Sequence, residues 1–234
     1  MGRSGESGRT YRTVIQYVKG EILNGSLRPG QKLPPERALA ETLGVGRNSV
    51  REALRTLEML GVVSSTQGSG NYVSCEFEKS LTESMSMMFF MQKLDYRQVS
   101  ELRCGVETQA AVLAAERISQ GQVAQLEELV GKMAREPDET ANAEMDKTLH
   151  MTVAQASRNP LIVMVLQSLS DTLDLFISDL RSEIRIRENG SPVLQEAHGR
   201  IVEALKNRNA EGARRAMEEH FSIVDRTIRD CMRP

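Results

Sequence analysis

Apolar positions repeat at helical spacing along most of the chain. In the first third they predict helices over 11–24, 35–43 and 47–60, and glycine-rich segments between these predict turns. Two short β-like runs, 62–65 and 71–74, then flank a Gln-Gly-Ser-Gly turn. Three helices followed by a hairpin are the order of elements in a winged helix-turn-helix.

The remainder of the chain shows only the helical period. It predicts seven further helices, near 79–91, 95–117, 120–135, 139–157, 160–187, 192–207 and 210–231. Consecutive amphipathic helices joined by short breaks predict an antiparallel all-α bundle. The expected fold is therefore mainly α, with a flexible N-terminus (1–10), a winged helix-turn-helix (11–74), a linker (75–79) and a helical bundle (80–231).

The composition is that of a globular protein rather than a membrane protein. Apolar residues make up 40% of the 234 positions and charged residues 26%, and the densest apolar run, Met85 to Met91, is far shorter than the roughly 18 residues a membrane span needs. The polar start carries no signal-peptide core. Cys75, Cys104 and Cys231 are scattered and odd in number, which suits a reducing cytoplasm and excludes a complete disulfide framework.

The charge distribution indicates which part of the chain meets nucleic acid. The net charge of −2 argues against DNA binding if taken alone. However, residues 1–75 carry ten basic and six acidic side chains, a net of +4, whereas the rest carries a net of −6. A basic N-terminal part followed by an acidic C-terminal part is expected when one domain contacts phosphates and the other does not.

The third predicted helix has the side chains of a recognition helix. Such a helix enters the major groove by its first turns, which need long hydrogen-bond donors for base edges and phosphates. The donors here are Arg47, Asn48, Ser49, Arg51 and Arg55. Arg37 on the preceding helix is placed for a backbone contact, and the turn at Gly68 would let a wing tip approach the minor groove. An arginine on an exposed helix is usually just solvated, so the arrangement as a whole, not any single residue, favours DNA binding.

These residues lie in a string, GSLRPGQKLPPERALAETLGVGRNSVREALRTLEMLGVV closed by QGSGNYV, that closely resembles the winged-helix domain of the GntR family of bacterial regulators. The resemblance covers roughly residues 11–74. It implies operator DNA contacts by Arg37, Arg47 and Arg51, with smaller contacts by Asn48, Ser49, Gln67 and Gly68. One departure is Gly46, where the family often has Ser or Thr, so one hydroxyl contact to phosphate is expected to be missing.

The bundle places its few histidines in a pattern that favours a metal site. Asp146 precedes His150 by four residues, so both lie on one helix face. His198 and His220 each lie in phase with the apolar stripe of their own helix. Three imidazoles and a carboxylate facing a bundle interior suit a first-row divalent metal. A hydrogen-bonded core histidine is the alternative for each one separately.

The same positions resemble the FCD ligand-binding domain, the partner of the winged helix in the FadR branch of the GntR family. Asp146, His150, His198 and His220 fall on its Asp-His-His-His metal motif without departure. The resemblance implies zinc, or a neighbouring ion such as nickel or manganese, that helps to hold a small organic acid. Arg103 lies beside the apolar stripe formed by Val99, Leu102, Val106 and Ala110. It could pair with an effector carboxylate, or else form a surface pair with Glu107.

The sequence is compatible with three classes of function. The favoured one is a ligand-responsive regulator that binds a palindromic operator as a homodimer, because one winged helix reads too few base pairs for useful specificity. A metalloenzyme is the second, although no additional general base or nucleophile–base pair accompanies the metal motif. The third is an architectural DNA binder without a ligand, against which the inward-facing histidines argue.

Overall fold

A computed structural model describes residues 3–92, 95–170 and 192–231. The chain divides into two compact units, Met1–Glu83 and Ser84–Pro234. Each unit has its own cluster of buried apolar side chains.

The N-terminal unit has the predicted order of three helices and a hairpin. Its elements are α1 (Arg3–Leu23), α2 (Glu36–Leu43), α3 (Arg47–Met59), β1 (Val63–Thr66) and β2 (Gly70–Val73). The helix α1 begins at Arg3 rather than at Tyr11, within the residues expected to be flexible. The residues before Tyr11 are mostly polar, so no apolar stripe in the sequence marks this first part of the helix.

The turn between α2 and α3 depends on a glycine. Gly44 ends α2 with a left-handed backbone, φ +63°, which a residue without Cβ adopts without strain. The turn brings α2 and α3 together over a core that includes Val14, Leu39, Val50 and Leu57, all essentially inaccessible to solvent. This core fixes α3 against α1 and α2 and leaves its polar face outward.

The hairpin is extended by a third short segment. Strands β1 and β2 pair antiparallel, with Val63 opposite Val73 and Thr66 opposite Gly70. On the other side of β2, the Leu33 amide donates to the Asn71 carbonyl at 2.8 Å. The wing is thus anchored to the chain that leads into α2.

The C-terminal unit contains helices and, in the part that the structure describes, no strand. The helix α4 (Phe77–Gln92) crosses from the first unit into the second and begins inside the segment 75–79 that we expected to be a linker. The following helices are α5 (Tyr96–Arg117), α6 (Gln120–Met133), α7 (Glu139–Ala156), α8 (described over 160–170), α9 (Pro192–Lys206) and α10 (Ala210–Cys231). The remainder of the helix expected over 160–187 lies outside the described residues.

Long helices α5, α7, α9 and α10 form the centre of this unit. The helix α5 packs against α7 and α10, and α9 packs against α6 and α10. Capping boxes at Asp95 and Ser119 satisfy the first amides of α5 and α6 and so define where these helices begin. The predicted fold class, a winged helix-turn-helix followed by a helical bundle, is confirmed. None of the described helices combines the length and apolarity that crossing a bilayer requires.

Candidate metal centre and nucleic-acid interface

Three helices of the C-terminal unit bring the predicted metal ligands together. The helix α7 carries Asp146 and His150 one turn apart, α9 carries His198, and α10 carries His220. All four residues are buried, with exposed fractions of 5% or less. Their polar side chains therefore occupy the interior of the bundle, where unsatisfied polar groups are costly.

The distances show a compact cluster. One ring nitrogen from each of the three histidines can be chosen so that the three nitrogens lie within 4.8 Å of one another. The ring centroid of His220 lies 4.8 Å from that of His150 and 4.9 Å from that of His198. The Asp146 carboxylate joins the group, with Oδ1 3.0 Å from His198 Nε2 and Oδ2 3.7 Å from His150 Nε2.

Two ring nitrogens in the cluster indicate that the donor set suits a cation. Nε2 of His150 and Nδ1 of His220 are buried and have no hydrogen-bond partner among the described residues. A buried polar atom without a partner costs about 1 to 3 kcal/mol, so native structures rarely keep two in one place without a reason. Three imidazoles and a carboxylate are a ligand set that suits a borderline ion such as Zn²⁺. The three imidazoles also offer nitrogens close enough together to hold one ion.

Arg103 and Glu107 on α5 form a buried ion pair next to this cluster. Arg103 Nε donates to Glu107 Oε1 at 2.8 Å, and the exposed side-chain fractions are 13% and 2%. The other carboxylate oxygen of Glu107 contacts Nδ1 of His150. The predicted pair exists, but it lies inside the bundle rather than on its surface. The sequence analysis missed the contact with His150, which joins residues 43 positions apart in the chain.

Electrostatics in the cluster shift the pKa values of its members in different directions. Burial raises the pKa of Glu107, but the charges of Arg103 and His150 outweigh burial and hold it below its ordinary value. Burial lowers the pKa of His150, but Glu107 and Asp146 outweigh this and raise it. Burial, His150 and His198 all lower the pKa of His220, which leaves its imidazole neutral, the form that binds metals.

The N-terminal turns of α3 present the predicted DNA contacts to solvent. Arg47, Asn48 and Arg51 are exposed, and Arg47 has no carboxylate partner in the described part of the chain. Gly46, which precedes the helix, contributes no side-chain cap. The first amides of α3 therefore remain available to an anion such as a phosphate.

The other side chains that we predicted to contact DNA differ in whether they already have a partner within the protein. Arg37 pairs with Glu41 at 2.8 Å and Arg51 with Glu36 at 3.4 Å, both on the surface. Exposed pairs of this kind are weak and can exchange for phosphate contacts.

Ser49 is half-buried, and its hydroxyl hydrogen-bonds Thr10 on α1 at 3.0 Å, so its side chain is less available than expected. Gln67 and Gly68 are exposed at the tip of the wing, where Gly68 has φ +74°.

Comparison with known proteins identifies the family. The profile described as bacterial regulatory proteins, gntR family, matches residues 10–73, and the FCD domain profile matches residues 98–222. The chain is 32% identical to the HTH-type transcriptional regulator LutR of Bacillus subtilis (strain 168) over 87% of its own length and 94% of that protein. The chain belongs to the GntR family. It is a DNA-binding transcription regulator with an FCD effector-binding domain, not an enzyme.

Two further proteins agree with this assignment. An Escherichia coli (strain K12) regulatory protein, whose name refers to an L-lactate dehydrogenase operon, is 29% identical over 92% of this chain and 85% of that protein. The solved structure of a GntR protein from Streptococcus agalactiae matches with a TM-score of 0.64 and 28% identity, over 92% of this chain and 99% of that one. The resemblance stated from the sequence is thereby confirmed.

Proposed function

We propose that this GntR-family regulator binds a palindromic operator as a homodimer and responds to a small carboxylate effector at a divalent metal in its FCD domain. The observation that carries the proposal is the buried cluster of Asp146, His150, His198 and His220. Nε2 of His150 and Nδ1 of His220 have no hydrogen-bond partner among the described residues. Leucine at those two positions would have left no buried polar atom to satisfy. A protein that binds chromosomal DNA in a bacterium acts in the cytoplasm.

The four side chains would hold the metal, with zinc as the first candidate and nickel or manganese as others. A bound divalent ion supplies a Lewis acid whose remaining coordination positions accept a carboxylate or hydroxyl oxygen. The four side chains are buried, and the Phe221 ring lies beside His220 at a centroid distance of 5.3 Å. In such a surrounding, charge–charge attraction is stronger than in water.

Arg103 is the candidate for the second effector contact. Its guanidinium carbon lies 5.6 Å from the centre of the Phe221 ring, and the same ring contacts His220. A carboxylate between the arginine and the metal would have a cation on each side. The name of the Escherichia coli relative makes L-lactate the first acid to test, with sugar acids and dicarboxylates as the comparison classes.

The DNA side of the proposal rests on α3 and the wing. Arg47, Asn48 and Arg51 would reach base edges and phosphates in the major groove, while Gln67 and Gly68 approach the minor groove. Arg37 would fix the register on the backbone, and Ser49 would contribute if its hydroxyl exchanged Thr10 for a phosphate oxygen. A homodimer would place two such heads on the two halves of a palindrome.

The direct test is fluorescence anisotropy with DNA that flanks the gene, against random DNA of equal length at moderate salt. We expect preference for the flanking DNA, a change in affinity when L-lactate or another small acid is added, and loss of that change after treatment with a chelator. A failure to prefer any genomic DNA would refute the operator. Selective DNA binding that no acid alters, with zinc present, would refute the effector.

Oligomeric state is tested separately by sedimentation at the concentrations used for DNA binding. A dimer that binds one operator with a stoichiometry of two chains supports the proposal. A monomer that retains full operator preference would refute the homodimer.

A further inference from the structure

Glu107 joins two groups that the proposed function uses separately. It lies on α5 with only 2% of its side chain exposed. One carboxylate oxygen accepts a hydrogen bond from Arg103 Nε at 2.8 Å, and the other contacts His150 Nδ1. A single buried carboxylate therefore connects the candidate effector arginine with a candidate metal ligand.

This carboxylate is held in place by more than one interaction. Burying an unpaired charge is costly, so a buried Glu persists where a cation and further hydrogen bonds satisfy it. Arg103 supplies the cation and is itself confined, because its guanidinium lies against the Phe221 ring. The carboxylate thus has little freedom to move relative to α7, which carries His150.

The contact between Glu107 and Nδ1 of His150 determines whether Nε2 of the same ring carries a proton or a free lone pair. A neutral imidazole carries one proton, and a carboxylate at Nδ1 keeps that proton on Nδ1. The lone pair of Nε2 then points away from Glu107, toward the Asp146 carboxylate at 3.7 Å. Nε2 has no hydrogen-bond partner among the described residues, so its lone pair is available to an ion.

We propose that Glu107 is a positioning residue that holds His150 in the tautomer and ring orientation required for metal binding, with Arg103 as its counter-charge. The proposal rests on the metal site of the proposed function and adds a residue outside its four ligands. Metal-bound histidines commonly donate their second N–H to a carboxylate, and loss of that partner typically lowers metal affinity 10- to 100-fold.

The chain contains a matched control for this proposal on the same helix. Arg97 and Glu101 form an ion pair with the same i,i+4 spacing, at 3.1 Å, but with exposed fractions of 61% and 57%. The variants E107Q and E101Q therefore make the same chemical change in a buried pair and in an exposed pair. Both are made in the full-length chain.

The test measures Zn²⁺ affinity by competition with a chromophoric chelator. We expect E107Q to bind Zn²⁺ 10- to 100-fold more weakly than the unmodified protein and E101Q to bind it equally well. The second readout is the ¹⁵N chemical shift of the His150 ring. Before zinc is added, we expect the neutral His150 ring to carry its proton on Nδ1 in the unmodified protein and to be a mixture of tautomers in E107Q.

The outcomes separate this proposal from the one on which it rests. If the unmodified protein binds no divalent ion, the metal site fails and this proposal fails with it. If the unmodified protein binds zinc and E107Q matches it in affinity and tautomer, only the role of Glu107 is refuted.

If E107Q does not fold, the double variant R103M/E107L removes both charges together and is used in its place. Weaker zinc binding by that folded variant supports the proposal, and unchanged binding overturns it.

Discussion

Metal binding should raise the melting temperature of the C-terminal unit. The size of the shift follows from the zinc excess and from the number of residues in the unit. A ligand that binds only the folded state stabilises it by about 2.7 kcal/mol when its free concentration is 100 times the dissociation constant. For a unit of about 150 residues, Ser84–Pro234, each kcal/mol shifts the melting temperature by about 2 to 4 °C. Zinc at that excess is therefore expected to shift the transition by about 5 to 11 °C.

The assay is differential scanning calorimetry on protein stripped with a chelator and then reloaded with Zn²⁺. The two units have separate apolar cores, so two transitions are expected and the N-terminal one provides an internal control. His220→Leu removes a ligand together with a buried nitrogen that lacks a hydrogen-bond partner in the described residues. We expect this variant to be at least as stable as the metal-free protein, because the partnerless nitrogen costs about 1 to 3 kcal/mol.

The control variant is Arg200→Gln on α9, which removes an exposed ion pair with Glu219 and should leave the zinc shift intact. A zinc shift that persists in His220→Leu would refute the reasoning, since the stabilisation would then come from another place. Absence of a shift in the unmodified protein at saturating zinc would refute the metal site itself.

Three further predictions concern the N-terminal unit. Arg47→Ala is expected to weaken operator binding and to reduce the magnitude of the slope of log affinity against log salt by about 1.8 for the dimer, because each of the two chains loses one phosphate contact worth about 0.9. Glu36→Gln is expected to strengthen operator binding at low salt, because it removes a negative charge and frees Arg51, and to change the free energy of unfolding by less than about 1 kcal/mol. Gly61→Ala is expected to destabilise the unit by at least about 1 to 2 kcal/mol in urea unfolding, because φ is +72° and the new Cβ would meet the Glu76 carbonyl.

Each of these has a matched control. Arg97→Ala removes the same charge from the C-terminal unit and should leave the salt slope unchanged. Glu52→Gln removes an acid that pairs with Arg55 on α3 and should affect DNA binding less than Glu36→Gln. Gly44→Ala has a similar left-handed backbone, φ +63°, but open space around the Cβ, so a loss as large as that of Gly61→Ala would contradict the predicted clash.

The elements of the fold were predictable because burial is periodic. The start of α3 at Arg47 agrees with its predicted start, and the apolar stripes of α9 and α10 correctly indicated that His198 and His220 are buried. Where no stripe exists, the prediction failed, as at the first residues of α1. Side-chain contacts between distant segments, such as Ser49 with Thr10, carry no periodic signal and required the structure.

The two ion pairs on α5 show which features of the candidate site could be predicted from the sequence. Arg97–Glu101 and Arg103–Glu107 have the same spacing, so local pairing rules treat them alike. Their position around the helix differs: Glu107 is in phase with Ala110 and Ala114, which are 1% and 0% exposed, three and seven residues further on. The buried face of α5 is rotated relative to the predicted stripe at Leu102. Leu102 is 44% exposed, whereas the side chain of the next residue, Arg103, is only 13% exposed. A stripe of small residues such as alanine marks a close helix contact, and a charged pair on that stripe must be satisfied inside the bundle. The phase of Glu107 with these alanines was therefore a signal in the sequence that its carboxylate is buried in the bundle rather than exposed to water.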